Sequence, residues 1–364
     1  MCLVTKARMS MSDNFALELF SGIGGMSLGL HSAGFESHGF DASERAVAMA
    51  NENGLASTVV DVFDPEIVET MRRVHPTPVL IHASPPCKGY SQASASTGDQ
   101  KQMWNSLTTR AADIIVQLKP AVAILENVLT ARANENWKRA IARLNANGYH
   151  SVSVCLDACK MDINVPQTRK RLFVVLCRTS GHDLTVAHKM NEWLEQCKTM
   201  MRSRNVTSIE QAIPEIKDKT LFVFPRRREN QCVFASDRPA PCVRSMILAK
   251  PSGSLVQDNP INAGQIQDAI VPDVALASKL CGFPDEFKFS PYKVHNGLAM
   301  GNVVIPAMGA FVARFAAELI PFAGDGTAPG VQYVSNYPIR PVRFVGAVDE
   351  TEDDARPRRR RKID

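Results

Sequence analysis

The sequence predicts an α/β protein with a doubly wound, mostly parallel sheet and a second, smaller, irregular domain. Three observations support this prediction. Short apolar runs alternate with amphipathic stretches from Phe15 to about Val175, a glycine cluster follows the first apolar run, and the alternation stops between about 181 and 271. Strands that alternate with helices form a parallel sheet covered on both faces.

The apolar periodicity places each element in order. Seven short apolar runs are predicted to be strands, at residues 15–20, 35–40, 57–62, 78–84, 121–126, 149–154 and 171–176. Stretches with helical spacing are predicted to be helices, at residues 43–54, 65–75, 107–119 and 135–148, and again at 274–283 and 305–320. The last helix is strongly apolar and is expected to pack on the core of the first domain.

These elements divide the chain into four parts. The first domain is predicted at 13–178, the irregular domain at 179–271, and helices that complete the first domain at 272–322. Residues 323–364 are predicted to be an extended, partly disordered basic tail, since glycine, proline and charge replace apolar periodicity there.

Composition limits the class of protein. Hydrophobic residues make up 45% and charged residues 22% of the chain, as in ordinary globular proteins. With no apolar run of 18 residues and no signal-like start, we expect a soluble, intracellular protein. The nine cysteines are odd in number and scattered, so reduced thiols are expected and a zinc site is disfavoured. A net charge of +5 permits a nucleic-acid partner without establishing one.

The glycine cluster and the acid that follows it suggest a nucleotide-type ligand. Gly22 and Gly24 would let the backbone approach a ligand where a strand meets a helix, although a plain tight turn fits equally. Ser27 stands where a dinucleotide fingerprint needs a third glycine, which argues against a nicotinamide protein. Asp41 could accept ribose hydroxyls or cap the next helix, and spacing alone leaves both open.

Three further groups carry candidate chemistry. Cys87 follows two prolines at the end of a strand and is either a nucleophile or a small buried apolar residue. Glu126 ends an apolar strand and either shares a proton with a ligand or faces solvent. Gln167, Arg169 and Arg171 alternate along an extended segment, which suits phosphate and base contacts or an ordinary polar face.

Taken together and in this order, the motifs resemble the cytosine carbon-5 DNA methyltransferase family. The resemblance covers roughly Phe15 to Val175 and Asp273 to Leu319. The matching elements are FSGIGG at 20–25, Asp41, Asp61, PPC…S at 85–91, ENV at 126–128, the Gln-x-Arg-x-Arg run at 167–171, GFP at 282–284, and Gly301-Asn302 with Val304.

The resemblance implies a Rossmann-like S-adenosylmethionine-dependent methyltransferase fold and a residue set for each task. Cys87 would attack carbon 6 of cytosine, Glu126 would bind its nitrogen-3 edge, and Arg169 and Arg171 would hold the phosphate and the cytosine oxygen. The cofactor would contact Phe20, Ser21, Gly22, Ile23, Gly24, Gly25, Asp41, Ala42, Asp61, Val62, Pro85, Leu107, Asn302 and Val304. DNA would contact Ser91, Asn127, Gln167, Arg226, Arg227, Arg228 and Arg244.

The resemblance also implies partners and a place for recognition. The irregular part would be the target-recognition domain, with RPAPCVRS at 238–245 inside it. The substrate would be double-stranded DNA, no metal would be needed, and a monomer with a cognate restriction endonuclease as candidate partner is expected. The location would be cytoplasmic in a bacterium or phage and nuclear in a eukaryote.

Three departures and three alternatives stay open. Asp41 replaces the usual glutamate, Lys88 the usual glutamine, and Lys279 the usual arginine, and none removes a catalytic group. A tRNA cytosine would need the same active site, although a segment of about ninety residues favours DNA. A non-catalytic DNA-binding relative would be expected to lack Cys87 or Glu126, and an oxidoreductase is disfavoured by the PPC and ENV elements.

Overall fold

The computed structural model describes residues 14–87, 90, 98–180, 183–216, 220–225, 231–245, 247–248, 255–256 and 269–324. Its central sheet has seven strands in the order β3-β2-β1-β4-β5-β8-β6. The strands are β1 Phe15–Leu19, β2 Glu36–Asp41, β3 Ser57–Val59, β4 Leu80–Ala83, β5 Val122–Asn127, β6 Tyr149–Asp157 and β8 Lys170–Arg178, with the short β7 Gln167–Thr168 preceding β8.

All strands of this sheet run in one direction except β8. Strands β1 to β5 pair in parallel, whereas β8 pairs antiparallel with both β5 and β6. The prediction of a mostly parallel, Rossmann-like α/β sheet is therefore confirmed. The reversal brings the start of β8 to the same edge of the sheet as the ends of β4 and β5.

Helices cover both faces of the sheet. The first five are α1 Gly25–Ser32, α2 Glu44–Glu52, α3 Ile67–Val74, α4 Gly98–Leu118 and α5 Glu135–Ala146. Alternate residues of each strand point to opposite faces, and two apolar clusters result. One joins Ala16 and Ile124 to α1, and the other joins Leu17 and Leu125 to α3, α4 and α5.

A long helix occupies part of the region predicted to be irregular. The structure has α6 at Leu184–Arg202, packed on β6. Its buried residues are Val186, Met190, Trp193 and Cys197, and the Trp193 ring stacks on Phe315 with centroids 4.1 Å apart. This apolar stripe attaches α6 to the core of the first domain, although α6 follows the boundary predicted at residue 179.

Small elements follow α6. They are α7 Ile209–Ala212, a three-stranded sheet of β9 Leu221–Pro225, β10 Gln231–Ala235 and β12 Leu255–Val256, and β11 Ala240–Pro241, which pairs with β7. The chain then returns through α8 Val274–Leu280, α9 Lys293–Asn302 and α10 Pro306–Leu319.

The last helix lies in the core, as the sequence predicts. Residues 293–322 are long and apolar enough to cross a membrane, but most of the stretch is buried inside the protein. Helix α10 packs closely on α1, where a Cβ on Gly29 would meet backbone atoms of Pro306 and Gly309. Only glycines permit this backbone approach.

Candidate active site

A cavity of about 340 Å³ lies at the carboxyl edge of the sheet. It is bounded by the glycine loop after β1, the ends of β2, β4 and β5, the start of β8, and α9. Its lining includes Phe20, Ser21, Gly22, Ile23, Asp41, Ser43, Pro85, Cys87, Glu126, Asn127, Arg171, His295, Leu298, Asn302 and Val304. Ligands of open α/β sheets bind at this edge.

The glycine loop and Asp41 form one end of the cavity. Phe20 has a φ of +59° and Gly22 a φ of +57°, both left-handed, so the chain turns sharply after β1. The Asp41 carboxylate accepts hydrogen bonds from the Gly22 N–H at 2.9 Å and the Ser43 N–H at 2.8 Å. Asp41 therefore ties the loop to the start of α2, whereas the cap of α2 is Ser43, whose hydroxyl accepts from Ala46 N.

Several predicted cofactor residues have other surroundings. A Cβ on Gly24 would collide with Leu55, and one on Gly25 with Val303 and Val304, so these glycines serve close packing of α1. The cavity lining excludes Gly24, Gly25, Ala42, Asp61, Val62 and Leu107. Asp61 instead accepts the Phe63 N–H at 2.9 Å, and the side chains of Val62 and Leu107 are buried in an apolar cluster.

The loop that carries Cys87 is fixed from β5. The Asn127 side chain is 2% exposed and donates to the Pro85 carbonyl at 2.8 Å. The Cys87 carbonyl accepts from the Tyr90 N–H at 2.9 Å. Asn127, predicted to contact DNA, thus holds the loop that positions the thiol, although it also lines the cavity.

Glu126 and Arg171 face each other beside Cys87. Arg171 Nε lies 3.0 Å from Glu126 Oε1, and both side chains are largely buried. Burial raises the pKa of Glu126, against the lowering effect of Arg171 and Arg169. Glu126 Oε1 faces Arg171 Nε without an aligned hydrogen bond among the described residues, so the carboxyl keeps capacity to hydrogen-bond a ligand.

Burial and the neighbouring charges act on the pKa of the Cys87 thiol in opposite directions. Burial raises its pKa, Arg171 lowers it, and Glu126 raises it. A proton must therefore leave before the sulfur can act as a nucleophile, since the thiolate is the reactive form.

Arg169 and Gln167 do not face the cavity, contrary to the expectation that they contact substrate. Arg169 is 0% exposed, and its guanidinium donates to the carbonyls of Val243 at 3.0 Å and Gly301 at 3.0 Å, and also to Val303 at 2.6 Å. Gln167 is equally buried and donates to Leu280 O at 2.8 Å. Through these hydrogen bonds to backbone carbonyls, both residues fasten the returning chain to the sheet.

Of the remaining predicted DNA contacts, only Arg244 lies within the described residues, where it is exposed. Ser91 and Arg226, Arg227 and Arg228 lie outside them. Sequence reasoning missed the cavity wall made by α9, namely His295, Leu298 and Ala299. A signal existed in the Gly301-Asn302 pair, which ends this helix.

Comparisons with known proteins find one matching family. A model of the family described as C-5 cytosine-specific DNA methylase matches residues 15–241. The type II methyltransferase M.HgiDI of Herpetosiphon aurantiacus is 28% identical over 299 residues, covering 82% of this chain and 92% of its own. The type II methyltransferase M.HindV of Haemophilus influenzae is 25% identical over 304 residues, covering 82% and 94%.

Solved structures are similar in fold. The S. pombe Dnmt2 methyltransferase superposes with a TM-score of 0.59 at 16% identity, covering 84% of this chain and 99% of its own. A prophage-encoded DNA modification methyltransferase from E. coli gives a TM-score of 0.57 at 16% identity, with coverage of 84% and 99%.

Proposed function

The chain belongs to the C-5 cytosine-specific DNA methylase family, and we propose that it methylates a cytosine flipped out of double-stranded DNA through a covalent adduct of Cys87 at carbon 6. Membership makes it a DNA (cytosine-5-)-methyltransferase that uses S-adenosyl-L-methionine. The observation that carries the proposed mechanism is the meeting of Cys87, Glu126 and Arg171 in one cavity with the Asp41-anchored glycine loop.

The cavity suits the cofactor in size and in its polar groups. Its volume of about 340 Å³ is that of a small-molecule site. Phe20, Gly22, Asp41 and Asn302 would hold the nucleoside and amino-acid parts, with Asp41 keeping lone pairs beyond its two N–H contacts for hydroxyl groups. When bound, S-adenosylmethionine supplies an electrophilic methyl group.

Cys87 would start the reaction. Its thiolate donates an electron pair to carbon 6 of cytosine, forming a carbon–sulfur bond and moving ring electrons toward carbon 5. That carbon then takes the methyl group, its proton passes to a base, and the electrons left behind expel the Cys87 thiolate. Arg171 favours the thiolate by its charge, against the burial that disfavours it.

Glu126 would neutralise the ring. Its raised pKa favours a protonated carboxyl, which can donate to nitrogen 3 as negative charge develops there. Arg171, 3.0 Å from Glu126, fixes the carboxyl's orientation and leaves guanidinium donors for the cytosine oxygen.

The substrate in this proposal is duplex DNA. A stacked cytosine must be extruded at a cost of a few kcal/mol, and phosphate contacts by exposed residues such as Arg244 offset that cost. About seventy residues lie between α6, which ends at Arg202, and α8, which begins at Val274, and in this proposal they carry sequence recognition in duplex DNA. Because the two relatives are named type II methyltransferases, the proposal includes a cognate restriction endonuclease as partner. The proposal also takes the enzyme to act as a monomer in the cytoplasm.

The test measures transfer of labelled methyl groups from S-adenosylmethionine to duplex DNA and to total tRNA. The enzyme is compared with Cys87→Ser and with the control Cys155→Ser, which alters a thiol on β6, outside the cavity. We expect label in DNA with wild type and the control, and none with Cys87→Ser. Label in tRNA alone would overturn the substrate, and full activity of Cys87→Ser would overturn the adduct.

A further inference from the structure

One opening of the cavity lies between two helices that come from distant parts of the chain. Helix α2 lines the cavity with Arg45, Ala46 and Met49, and α9 lines it with His295 and Leu298. Met49 is 6% exposed, whereas Leu298 is 50% exposed and Arg45 is also exposed. The cavity is therefore closed toward Met49 and meets solvent at Arg45, His295 and Leu298, which together we call the mouth.

The mouth belongs to the cofactor end of the cavity. Asp41, assigned above to the ribose hydroxyls, accepts from the Ser43 N–H at the start of α2, and Arg45 lies in the first turn of that helix. Cys87 and Glu126 line the cavity from β4 and β5 instead. A cofactor with its ribose at Asp41 and its methyl group toward Cys87 would therefore have its nucleoside part beside the mouth.

The chain that enters α9 is fastened to the C-terminal end of α2. Asn53, the C-cap of α2, donates to the Lys288 carbonyl at 2.9 Å and accepts from the Lys288 N–H at 2.7 Å. Phe283 and Phe287, whose ring centroids are 4.6 Å apart, are buried in one apolar cluster with Met49. These contacts fix the approach of the two walls at one end of α2 and leave its N-terminal end to be bridged by side chains.

Two polar side chains bridge the mouth. Arg45 Nη1 lies 3.1 Å from His295 Nε2, and because arginine only donates, the ring nitrogen accepts. The other ring nitrogen, Nδ1, lies 3.4 Å from Ser290 Oγ. Ser290 is itself held by Asn296, which accepts the Ser290 N–H at 3.0 Å and donates to the Ser290 carbonyl at 2.7 Å. The His295 ring is thus oriented to receive the Arg45 side chain from the opposite wall.

We propose that Arg45 and His295 form a latch that retains the cofactor: their hydrogen bond spans the mouth and must break each time S-adenosylmethionine enters or S-adenosylhomocysteine leaves. This inference rests on the proposed function, since that places the ribose of the cofactor at Asp41. The sequence motifs give neither residue a role, because Arg45 is an ordinary cation in a helical stretch and His295 precedes the Gly301-Asn302 pair.

The strength of the contact suits a latch that opens in every catalytic cycle. Water competes for both partners at an exposed position, so a pair of this kind is weak, and its loss should change a rate by about two- to fivefold. The walls themselves do not depend on it, because Asn53 and the apolar cluster around Phe283 hold them together. Removal of either side chain should therefore speed exchange of the cofactor and leave the protein folded.

The experiment measures exchange of labelled S-adenosylmethionine in the absence of nucleic acid. A chase with excess unlabelled cofactor gives koff, calorimetry gives Kd, and the ratio of koff to Kd gives kon. The variants are Arg45→Leu, His295→Leu and the double variant, together with His295→Gln, which keeps an acceptor. Arg314→Leu is the matched control, because Arg314 is an exposed arginine that donates to Ser32 Oγ at 3.2 Å outside the cavity lining.

The latch predicts a particular pattern of rates. We expect koff to rise about two- to fivefold in each leucine variant of the pair, and the double variant to gain no more than either, because both changes remove one contact. The same contact opens for entry and for exit, so kon should rise with koff and Kd should change less than either rate. His295→Gln and Arg314→Leu should keep wild-type rates. Urea unfolding checks that each variant is folded, and Arg45→Gln replaces Arg45→Leu if it is not.

Three other outcomes would overturn the latch. An unchanged koff in a folded Arg45 variant would show that the contact does not retain the cofactor. A higher koff with unchanged kon would make Arg45 a direct contact of the cofactor, and additive effects in the double variant would show that the two residues act separately. Because the chase needs no methyl transfer, the latch can fail while Cys87 still methylates DNA. Methylation of tRNA alone would overturn the proposed substrate and leave the exchange rates as predicted.

Discussion

Replacing Glu18 by glutamine is expected to stabilise the fold, and to do so more strongly at higher pH. Glu18 lies on β1 and is 0% exposed, with Ser27 donating to its Oε1. Burial raises its pKa to about 7, against the lowering effect of hydrogen bonds from Ser27 and Ser37. His82 Nδ1 lies 3.8 Å away, but burial lowers the pKa of His82 to about 3, so a neutral ring does not offset a charge on Glu18.

The magnitude follows from the two pKa values of the carboxyl. The folded protein keeps the Glu18 proton up to about pH 7, while the unfolded chain releases it near 4.5. The folded state binds the extra proton, so this contribution to stability is lost as pH rises from 4.5 through 7. At 1.36 kcal/mol for each pKa unit, full ionisation costs about 3 kcal/mol. Glutamine avoids that cost and still accepts from Ser27.

Urea unfolding followed by tryptophan fluorescence measures the difference. Glu18→Gln should gain about 3 kcal/mol over wild type at pH 8 and less than about 1 kcal/mol at pH 5. Glu52→Gln, at an exposed position in α2, is the matched control and should change little at either pH. A gain of equal size at both pH values, or a loss at pH 8, would refute the reasoning.

Three further predictions concern the cofactor site, the contact of α9 with Ser245, and DNA. Asp41→Asn should weaken S-adenosylmethionine binding by roughly tenfold, because the amide has one acceptor for two N–H groups, and calorimetry showing an unchanged Kd would contradict this. Gly297→Ala should lower the free energy of unfolding by about 1–3 kcal/mol, because the new Cβ would collide with the Ser245 carbonyl. Urea unfolding measures this change, and wild-type stability of the variant would show that the backbone at Ser245 shifts without cost. Alanine at all three positions of 226–228 should weaken binding to every duplex alike. The slope of the logarithm of the binding constant against the logarithm of salt concentration should flatten by up to about 0.9 for each lost phosphate contact, and an unchanged slope would rule out those contacts.

The sequence was sufficient for the sheet and for part of the site. Apolar periodicity located the strands because their residues are buried on both faces, and strand ends carry Asp41, Cys87 and Glu126 to one edge by topology alone. The sequence also has a serine, Ser27, where a dinucleotide-binding fingerprint has its third glycine. In the structure, the Ser27 hydroxyl donates a hydrogen bond to the Glu18 carboxyl.

The remainder depends on contacts between distant parts of the chain. The spacing of Arg169 in the sequence is the same whether its side chain contacts DNA or backbone carbonyls. Its hydrogen bonds to the carbonyls of Val243 and Gly301, which come later in the chain, distinguish the two arrangements. Helix α6 was missed because the surrounding prolines, glycines and arginines masked the apolar stripe that includes Trp193. The position of Val243 beside Gln167 and Arg169 follows from β11 pairing with β7, a two-residue contact that periodicity does not reveal.

The position of α10 means that elements synthesised early cannot finish packing until a late element has been made. Helix α10, the last helix among the described residues, packs on α1, the first of them, by direct backbone contact at Gly29 and Gly309. While the ribosome is still making the segment after β8, one face of the nascent sheet lacks the helix that covers it. The core of the first domain is therefore complete only after residue 319 has been synthesised, and the apolar surface that α10 covers stays open until then.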